Sequence, residues 1–306
     1  MTVDDGRTRR PILMRDFTRF DGAAEYVARR ITESGRDAHD LTPESVALAI
    51  LALKAEGFEE QRLVAPRQLL RRWQNHSTGA VLVDPKEAAT YWPTGWAVLA
   101  WSGAQGFEKD CHDAAKFLLY VSGTTWQPRL DDPVGHDTTL HGWPWIGGSH
   151  SWVQPTAVNL MALAAAGRRD DVRVSQAVAL LLNRQLPAGG WNYGNTGIFR
   201  NITRPLPEDT GYALTALRLH ADRGQAEASL SYLAATATAM RAPAALAWAI
   251  LGLASWNSRP ERANDWLDES LALQVKIGPY PLRYIAQLLL ARRAKSGLAG
   301  IFTEKM

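Results

Sequence analysis

The sequence predicts an all-α fold, an (α/α)6 barrel in which six inner helices are enclosed by six outer helices. Two observations predict it: an apolar segment recurs six times along the chain, and a more polar, amphipathic segment accompanies each copy. The apolar copies cover residues 45–53, 93–101, 155–163, 209–217, 245–253 and 281–290. Because these segments are apolar on all sides, we expect them to form buried inner helices.

The amphipathic segments have the periodicity of helices with one buried side, and we expect them to form the outer ring. They cover residues 23–34, 66–74, 110–122, 171–184, 225–238 and 260–274. An open α-solenoid, which also stacks helix pairs, is the alternative. Closure is favoured because it removes both exposed ends of the array.

One domain is predicted for residues 1–306, with residues 1–20 as an N-terminal arm, because no Ser/Gly-rich or charge-rich linker divides the chain. The 34 basic and 31 acidic residues nearly balance, and no basic stripe with interleaved aromatic residues occurs, so a nucleic-acid partner is not expected. The single cysteine, Cys111, fits a reducing compartment. No segment resembles a secretory signal or a spanning helix of roughly 18 apolar residues, so we expect a cytoplasmic protein, at most attached to a membrane surface.

Three long links, residues 75–92, 123–154 and 185–206, each precede an inner helix. In an alternating barrel all three emerge on one face, which also carries the N-termini of the inner helices. Helix dipoles give that face a positive potential, and long loops on a rigid scaffold commonly carry function. We therefore expect the functional site at this mouth of the barrel.

The link 123–154 is rich in Trp and His. Trp143, Trp145 and Trp152 are predicted to line an apolar substrate pocket, or alternatively to fix the loop to the barrel. A metal site is the third hypothesis for this loop, formed by His136, Asp137, His141 and His150. Their spacing matches no zinc pattern, so hydrogen-bonding histidines are expected, with no metal or other cofactor.

Aromatic residues lie at similar depth in three inner segments: Trp96, Tyr212 and Trp248. They are predicted to line the lumen and to stabilise a carbocation by cation–π attraction, or alternatively to fill the core. Trp92 and Gln154 stand at the starts of inner segments, where we expect them to contribute to the mouth.

Basic residues near the mouth in sequence could bind a diphosphate or a carboxylate. Arg204 is the predicted binding residue among Arg129, Arg200, Arg204 and Arg241. A solvated charge at the rim is the alternative for each of them.

The segment 185–191 has Gln185, Gly189 and Trp191 in the pattern Q-x3-G-x-W. It resembles the QW repeat of squalene-hopene and oxidosqualene cyclases. Segments 72–81 and 118–126 resemble degenerate copies. The resemblance implies an α/α toroid in which the Gln caps a helix end and the Trp stacks across the adjoining turn.

The segment 206–214, LPEDTGYAL, resembles the D-x-D-D-T-A motif of class II terpene cyclases. The resemblance implies that Glu208 matches the proton donor and Asp209 the Asp that follows it. Leu206 replaces the first Asp of the motif, which favours activation of an epoxide or an allylic ether over a hydrocarbon alkene. A helix N-terminus favours ionised carboxylates, whereas burial keeps them protonated, and the sequence leaves these two effects opposed.

These features together predict an enzyme resembling class II terpene cyclases, an isomerase or lyase. It would use Glu208 or Asp209 for acid-initiated cyclisation or isomerisation of an isoprenoid or meroterpenoid, a hydrophobic small molecule. Two alternatives stay open: a non-catalytic barrel that binds a lipid or a partner, and a metal-dependent prenyltransferase-like enzyme.

Overall fold

The computed structural model describes residues 20–32, 41–129, 133–199 and 201–298. The predicted N-terminal arm, residues 1–20, lies outside the described residues except for Phe20, which begins the first helix. The described chain is mostly α-helical, which confirms the predicted all-α class.

Thirteen α-helices and one short hairpin follow each other along the described chain. Their bounds are α1 Phe20–Thr32, α2 Pro43–Ala55, α3 Glu60–Arg71, α4 Thr94–Trp101, α5 Glu108–Tyr120, α6 Val153–Ala165, α7 Val172–Asn183, β1 Gly197–Ile198, β2 Asn201–Ile202, α8 Pro207–Leu217, α9 Arg223–Ala237, α10 Pro243–Ser255, α11 Ala263–Ala272, α12 Gln274–Ile277 and α13 Leu282–Arg293.

Six helices correspond to the six apolar segments: α2, α4, α6, α8, α10 and α13. Side chains on all sides of these helices are buried, and every residue of α4 is. Consecutive members pack against each other, and α13 packs against α2, so the contacts between them run in a cycle. The surrounding helices fit between these neighbours; for example, α5 contacts both α4 and α6.

Glycines allow the closest approach in this cycle, between α8 and α10. A Cβ atom added at Gly211 would lie 2.2 Å from the carbonyl oxygen of Trp248, and one at Gly252 would lie 2.9 Å from the Cα of Gly211. Any larger residue would force the two helices apart, which explains why small residues occur in otherwise apolar segments.

A threonine hydroxyl in the first turn of three inner helices fixes the preceding link. Thr94 Oγ1 accepts the backbone N–H of Val81 at 3.0 Å. Two further bonds have the same form: Thr156 accepts from Trp143 at 3.0 Å, and Thr210 accepts from Trp191 at 2.9 Å. All three hydroxyls are buried, so these bonds are shielded from water.

Two indoles complete these threonine junctions. Trp191 Nε1 donates to the carbonyl of Leu181 at 2.7 Å, near the end of α7, and Trp143 Nε1 donates to that of Leu118 at 3.0 Å, near the end of α5. Trp143, rather than a residue of segment 118–126, is thus the counterpart of Trp191.

The glutamines of the QW-like segments make matching contacts with the next outer helix. Gln185 Nε2 donates to the carbonyl of Gln225 at 2.8 Å in the first turn of α9, and Gln74 Nε2 donates to that of Asp110 at 2.9 Å in the first turn of α5. Segment 72–81 therefore repeats the glutamine contact of segment 185–191, although its Trp position holds Val81.

Thr210→Val should lower the free energy of unfolding by about 1–3 kcal/mol, because it leaves the buried N–H of Trp191 without its acceptor. Thr210→Ser keeps the hydroxyl and serves as the matched control. Urea denaturation measures both variants. Equal stability of the Val and Ser variants would contradict the role of this hydrogen bond.

Candidate functional site

Polar side chains from four inner helices form one cluster at the N-terminal ends of these helices. We call the group Glu44, Gln154, Glu208, Asp209 and Arg283 the acidic cluster. Gln154 Nε2 donates to Glu208 Oε1 at 3.2 Å. Arg283 Nη1 lies 3.7 Å from Glu44 Oε2. Electrostatic interactions of Glu208 with Glu44, Asp209 and Arg283 join these pairs into one group.

The position of these residues in their helices explains why they meet. Glu44, Gln154, Glu208 and Arg283 are each the second residue of an inner helix: α2, α6, α8 and α13. Since these helices pack in a cycle, equivalent positions face a common region. Sequence analysis singled out Gln154 and Glu208 but missed Glu44 and Arg283. Counting helix positions from each start would have found both.

Burial dominates the electrostatics of the two most enclosed carboxyls. Glu44 is 7% exposed, and loss of solvation raises its pKa to about 7, against the lowering influence of Arg283. Asp209 is 2% exposed, and burial together with the charge of Glu208 raises its pKa to about 7. Burial also raises the pKa of the half-buried Glu208. At these carboxyls desolvation outweighs the helix N-terminus.

One oxygen of Asp209 stands out within the acidic cluster. Its Oδ1 atom is buried and has no hydrogen-bond partner among the described residues. A buried carboxylate oxygen without a donor is costly, so the neutral acid is the favoured form below about pH 7. A neutral carboxylic acid can donate a proton or a hydrogen bond, which an ionised one cannot.

Three aromatic rings fill the space between α4, α8 and α10. Tyr212 stacks on Trp248 with ring centroids 3.6 Å apart, and Trp96 lies 6.1 Å from Tyr212 and 5.9 Å from Trp248. All three are buried. The pKa of Tyr212 is raised by burial and by the nearby charges of Glu44 and Glu208, which places the aromatic group beside the acidic cluster. These contacts match the core-filling alternative.

The tryptophans of the mouth loops divide into two groups. Trp92 and Trp145 are half-buried and meet edge to face at 5.1 Å, and Trp152 packs against His150 at 4.2 Å. Trp143 is fully buried, with the Arg173 guanidinium 4.2 Å above its ring. The contacts of Trp143 therefore fix its loop to the helices α5 and α6, in agreement with the second of the two alternatives for this loop.

The basic residues considered from sequence do not converge on the acidic cluster. The side chain of Arg204 is exposed, as is that of Arg129. Arg241 pairs with Glu269 at 2.6 Å. Arg200 lies outside the described residues. Arg283, which sequence analysis did not consider, is the guanidinium that interacts with this cluster.

The histidines of the link 123–154 make separate contacts. His141 Nδ1 lies 3.2 Å from Ser122 Oγ, and His150 packs between Trp126 and Trp152. Within the described ranges, no three His, Cys, Asp or Glu side chains are grouped so that they could hold a metal ion.

No helix among the described residues is long and apolar enough to cross a bilayer. No family model matches the chain, and no curated protein matches it significantly.

Asp209→Asn should stabilise the protein at pH 8 and leave its stability near pH 4 unchanged. The folded protein retains a proton on Asp209 up to about pH 7, whereas the unfolded chain releases it near the ordinary value of 3.8. Wild-type stability therefore falls as pH rises through this window. We expect a gain at pH 8 of roughly 2–4 kcal/mol.

Thermal and urea unfolding at a series of pH values measures this gain. Asp170→Asn, which makes the same change at an exposed carboxyl, is the matched control. A constant difference between wild type and Asp209→Asn from pH 4 to pH 8 would contradict burial of a protonated Asp209.

Proposed function

We propose that the protein is a single (α/α)6 barrel that catalyses acid-initiated cyclisation or isomerisation of an isoprenoid or meroterpenoid, in the manner of class II terpene cyclases. The cyclic packing of α2, α4, α6, α8, α10 and α13 supports the barrel. The QW-like contacts of Gln185 and Trp191 support the family resemblance. The lone Cys111 supports a cytoplasmic location.

The observation that carries the proposal is the set of buried carboxyls with raised pKa beside stacked aromatic rings. Proton donation requires an acid that is still protonated, and desolvation favours the protonated form of Glu208 as it does that of Asp209 and Glu44. Most carboxyls at helix N-termini are ionised, so this arrangement is unlike an ordinary first-turn acid.

Glu208 is the proposed donor because it is the most accessible carboxyl of the acidic cluster and burial raises its pKa, which favours the protonated form. Its proton passes to the oxygen of an epoxide or allylic ether, the C–O bond breaks, and a carbocation forms at carbon. A π bond of the substrate attacks this centre to close a ring, and loss of a proton from carbon to the Glu208 carboxylate completes the reaction.

Aromatic faces near the acidic cluster would stabilise the positive charge. Trp92 and Trp145 are half-buried at the mouth and are accessible to a substrate. Trp96, Tyr212 and Trp248 lie deeper, where their rings pack on each other. Substrate would thus meet the mouth pair first, with the deeper rings as the floor beneath it. The proposed reaction requires neither a metal nor another cofactor.

A second candidate, a non-catalytic lipid-binding barrel, is favoured by one observation. Trp96, Tyr212 and Trp248 are buried and in mutual contact, which reduces the room for a folded substrate inside the barrel. A ligand bound only at the mouth needs no such space. The two candidates differ in whether substrate is converted.

Glu208→Gln should reduce turnover by at least about a hundredfold without unfolding the protein, because the amide cannot supply the proton. Linear isoprenoid diphosphates and isoprenoid epoxides are incubated with the purified protein, and products are detected by mass spectrometry. Wild-type turnover should fall as pH rises through the raised pKa of Glu208, because the donor is lost once this carboxyl ionises.

Glu227→Gln, at an exposed carboxyl on α9, is the matched control and should retain full turnover. Equal turnover in the Glu208→Gln and Glu227→Gln variants would exclude Glu208 as the donor. Binding of these compounds without conversion by the wild type would favour the non-catalytic candidate.

A further inference from the structure

Large apolar side chains are exposed together on the hairpin that precedes α8. We call the group Tyr193, Ile198, Phe199 and Ile202 the apolar hairpin. Phe199 is 75% exposed, Ile202 70% and Tyr193 59%. Exposed apolar residues are ordinary when they are scattered singly, but a group within one short hairpin indicates an interaction surface.

Backbone hydrogen bonds hold this hairpin to a second mouth loop. Strand β1 pairs with β2, and Val134 bridges to Ile198. The N–H of Phe199 donates to the carbonyl of Pro133 at 2.8 Å, and the N–H of Gly135 donates to that of Gly197 at 3.0 Å. The exposed residues therefore sit on a small, fixed sheet.

A buried amide fixes the base of the same hairpin. Asn192 is 6% exposed, and its Nδ2 donates to Thr203 Oγ1 at 2.7 Å and to the carbonyl of Asn195 at 3.0 Å. Its Oδ1 accepts from the N–H of Gly194 at 2.9 Å. One side chain thus joins both arms of the loop, so the direction of the hairpin is determined.

The backbone at Phe199 adds a second sign of constraint. Its φ is +49°, in the left-handed region that a bulky residue rarely occupies. Tight hairpin turns normally use Asn, Asp or Gly at such positions. A strained backbone costs free energy, and a ring that is 75% exposed buries little apolar surface to offset this cost. This indicates that the ring of Phe199 is used in a contact with another molecule.

The apolar hairpin belongs to the link that leads into α8 and therefore to the mouth face. Its base is joined to the start of α8 because the N–H of Leu206 donates to the carbonyl of Trp191 at 2.7 Å. Further exposed apolar residues occur on the other two mouth links: Val83, Trp126 and Ile146. The exposed apolar surface is thus shared by all three loops of this face.

Charges near the apolar hairpin are compatible with lipid phosphates. Arg204 is exposed two residues after Ile202. On the loop that pairs with β1, the described residues include one exposed acid, Asp137, whose carboxylate accepts hydrogen bonds from Thr139 at 2.7 and 2.8 Å. Asp131 and Asp132 of this loop lie outside the described residues. Arginine beside exposed Tyr, Ile and Phe is the composition of surfaces that bind at the headgroup region.

We propose that the apolar hairpin attaches the protein to the surface of a lipid bilayer, with Phe199 and Ile202 inserted among the headgroups and Arg204 at the phosphates. The contact is peripheral, since no described helix is long and apolar enough to span. This proposal does not depend on catalysis: the hairpin would bind lipid whether the acidic cluster converts a substrate or not.

Co-sedimentation with vesicles of equal parts phosphatidylcholine and phosphatidylglycerol tests the proposal. The wild type should sediment with the vesicles. The double variant Phe199→Asn/Ile202→Ser should bind at least about tenfold more weakly, because it removes the two inserted side chains. Asn suits a positive φ, so this variant should unfold at no lower temperature than the wild type.

Val172→Ser/Leu219→Ser is the matched control, because these residues are 67% and 52% exposed but lie where links follow the inner helices α6 and α8, at the opposite end from the mouth links. It should bind vesicles as the wild type does. The proposal is overturned by a wild type that stays in the supernatant, or by equal loss of binding in both double variants. It is also overturned if the wild type is a dimer that only the hairpin variant converts to monomer.

Discussion

Desolvation of carboxyl groups is the constraint on which the candidate site depends. The inner helices are apolar on every side, so their first turns have few polar groups with which to solvate an acid. Glu44, Glu208 and Asp209 nevertheless lie there. Within the acidic cluster, these three carboxyls share one guanidinium, that of Arg283. Ionising all three would leave uncompensated charge in a region of low dielectric constant. The arrangement is consistent with neutral acids. Carboxyls that only complement helix dipoles would have to be ionised, and burial makes ionisation unfavourable.

The threonine junctions explain how the links above this region keep their position. Each link is bonded to the first turn of the inner helix that it precedes, through Thr94, Thr156 or Thr210. Thr210 directly follows Asp209, so the same turn that carries the acid also holds the loop that ends in Trp191. The Thr210 hydroxyl accepts from the N–H of Trp191 and donates to the carbonyl of Leu206 at 2.7 Å, so the position of this turn and that of the loop are fixed together.

Periodicity was sufficient to predict the all-α class and the alternation of buried and amphipathic helices, since each inner segment is apolar throughout. The starts of the apolar segments also predicted that Gln154, Glu208 and Asp209 lie at the same end of their helices. Glu44 and Arg283 were missed because their partners lie on helices far away in sequence, and helix position was not counted from each start. For Trp143 the sequence leaves two alternatives open, a pocket wall or a contact that fixes the loop, because a loop tryptophan has no periodicity from which its contacts follow. Its bond to Leu118 depends on how the loop folds back.

Stability and the proposed chemistry make opposite demands on the acidic cluster. Replacing a buried acid by its amide removes an unfavourable ionisation at neutral pH, so selection for stability alone would favour Asn or Gln at position 209 or 44. A lipid-binding barrel without catalysis has no use for a protonated acid beneath its mouth. The presence of Glu44, Glu208 and Asp209 beside stacked aromatic rings agrees with the proposed proton transfer, since packing alone would be served as well by neutral amides of nearly the same volume.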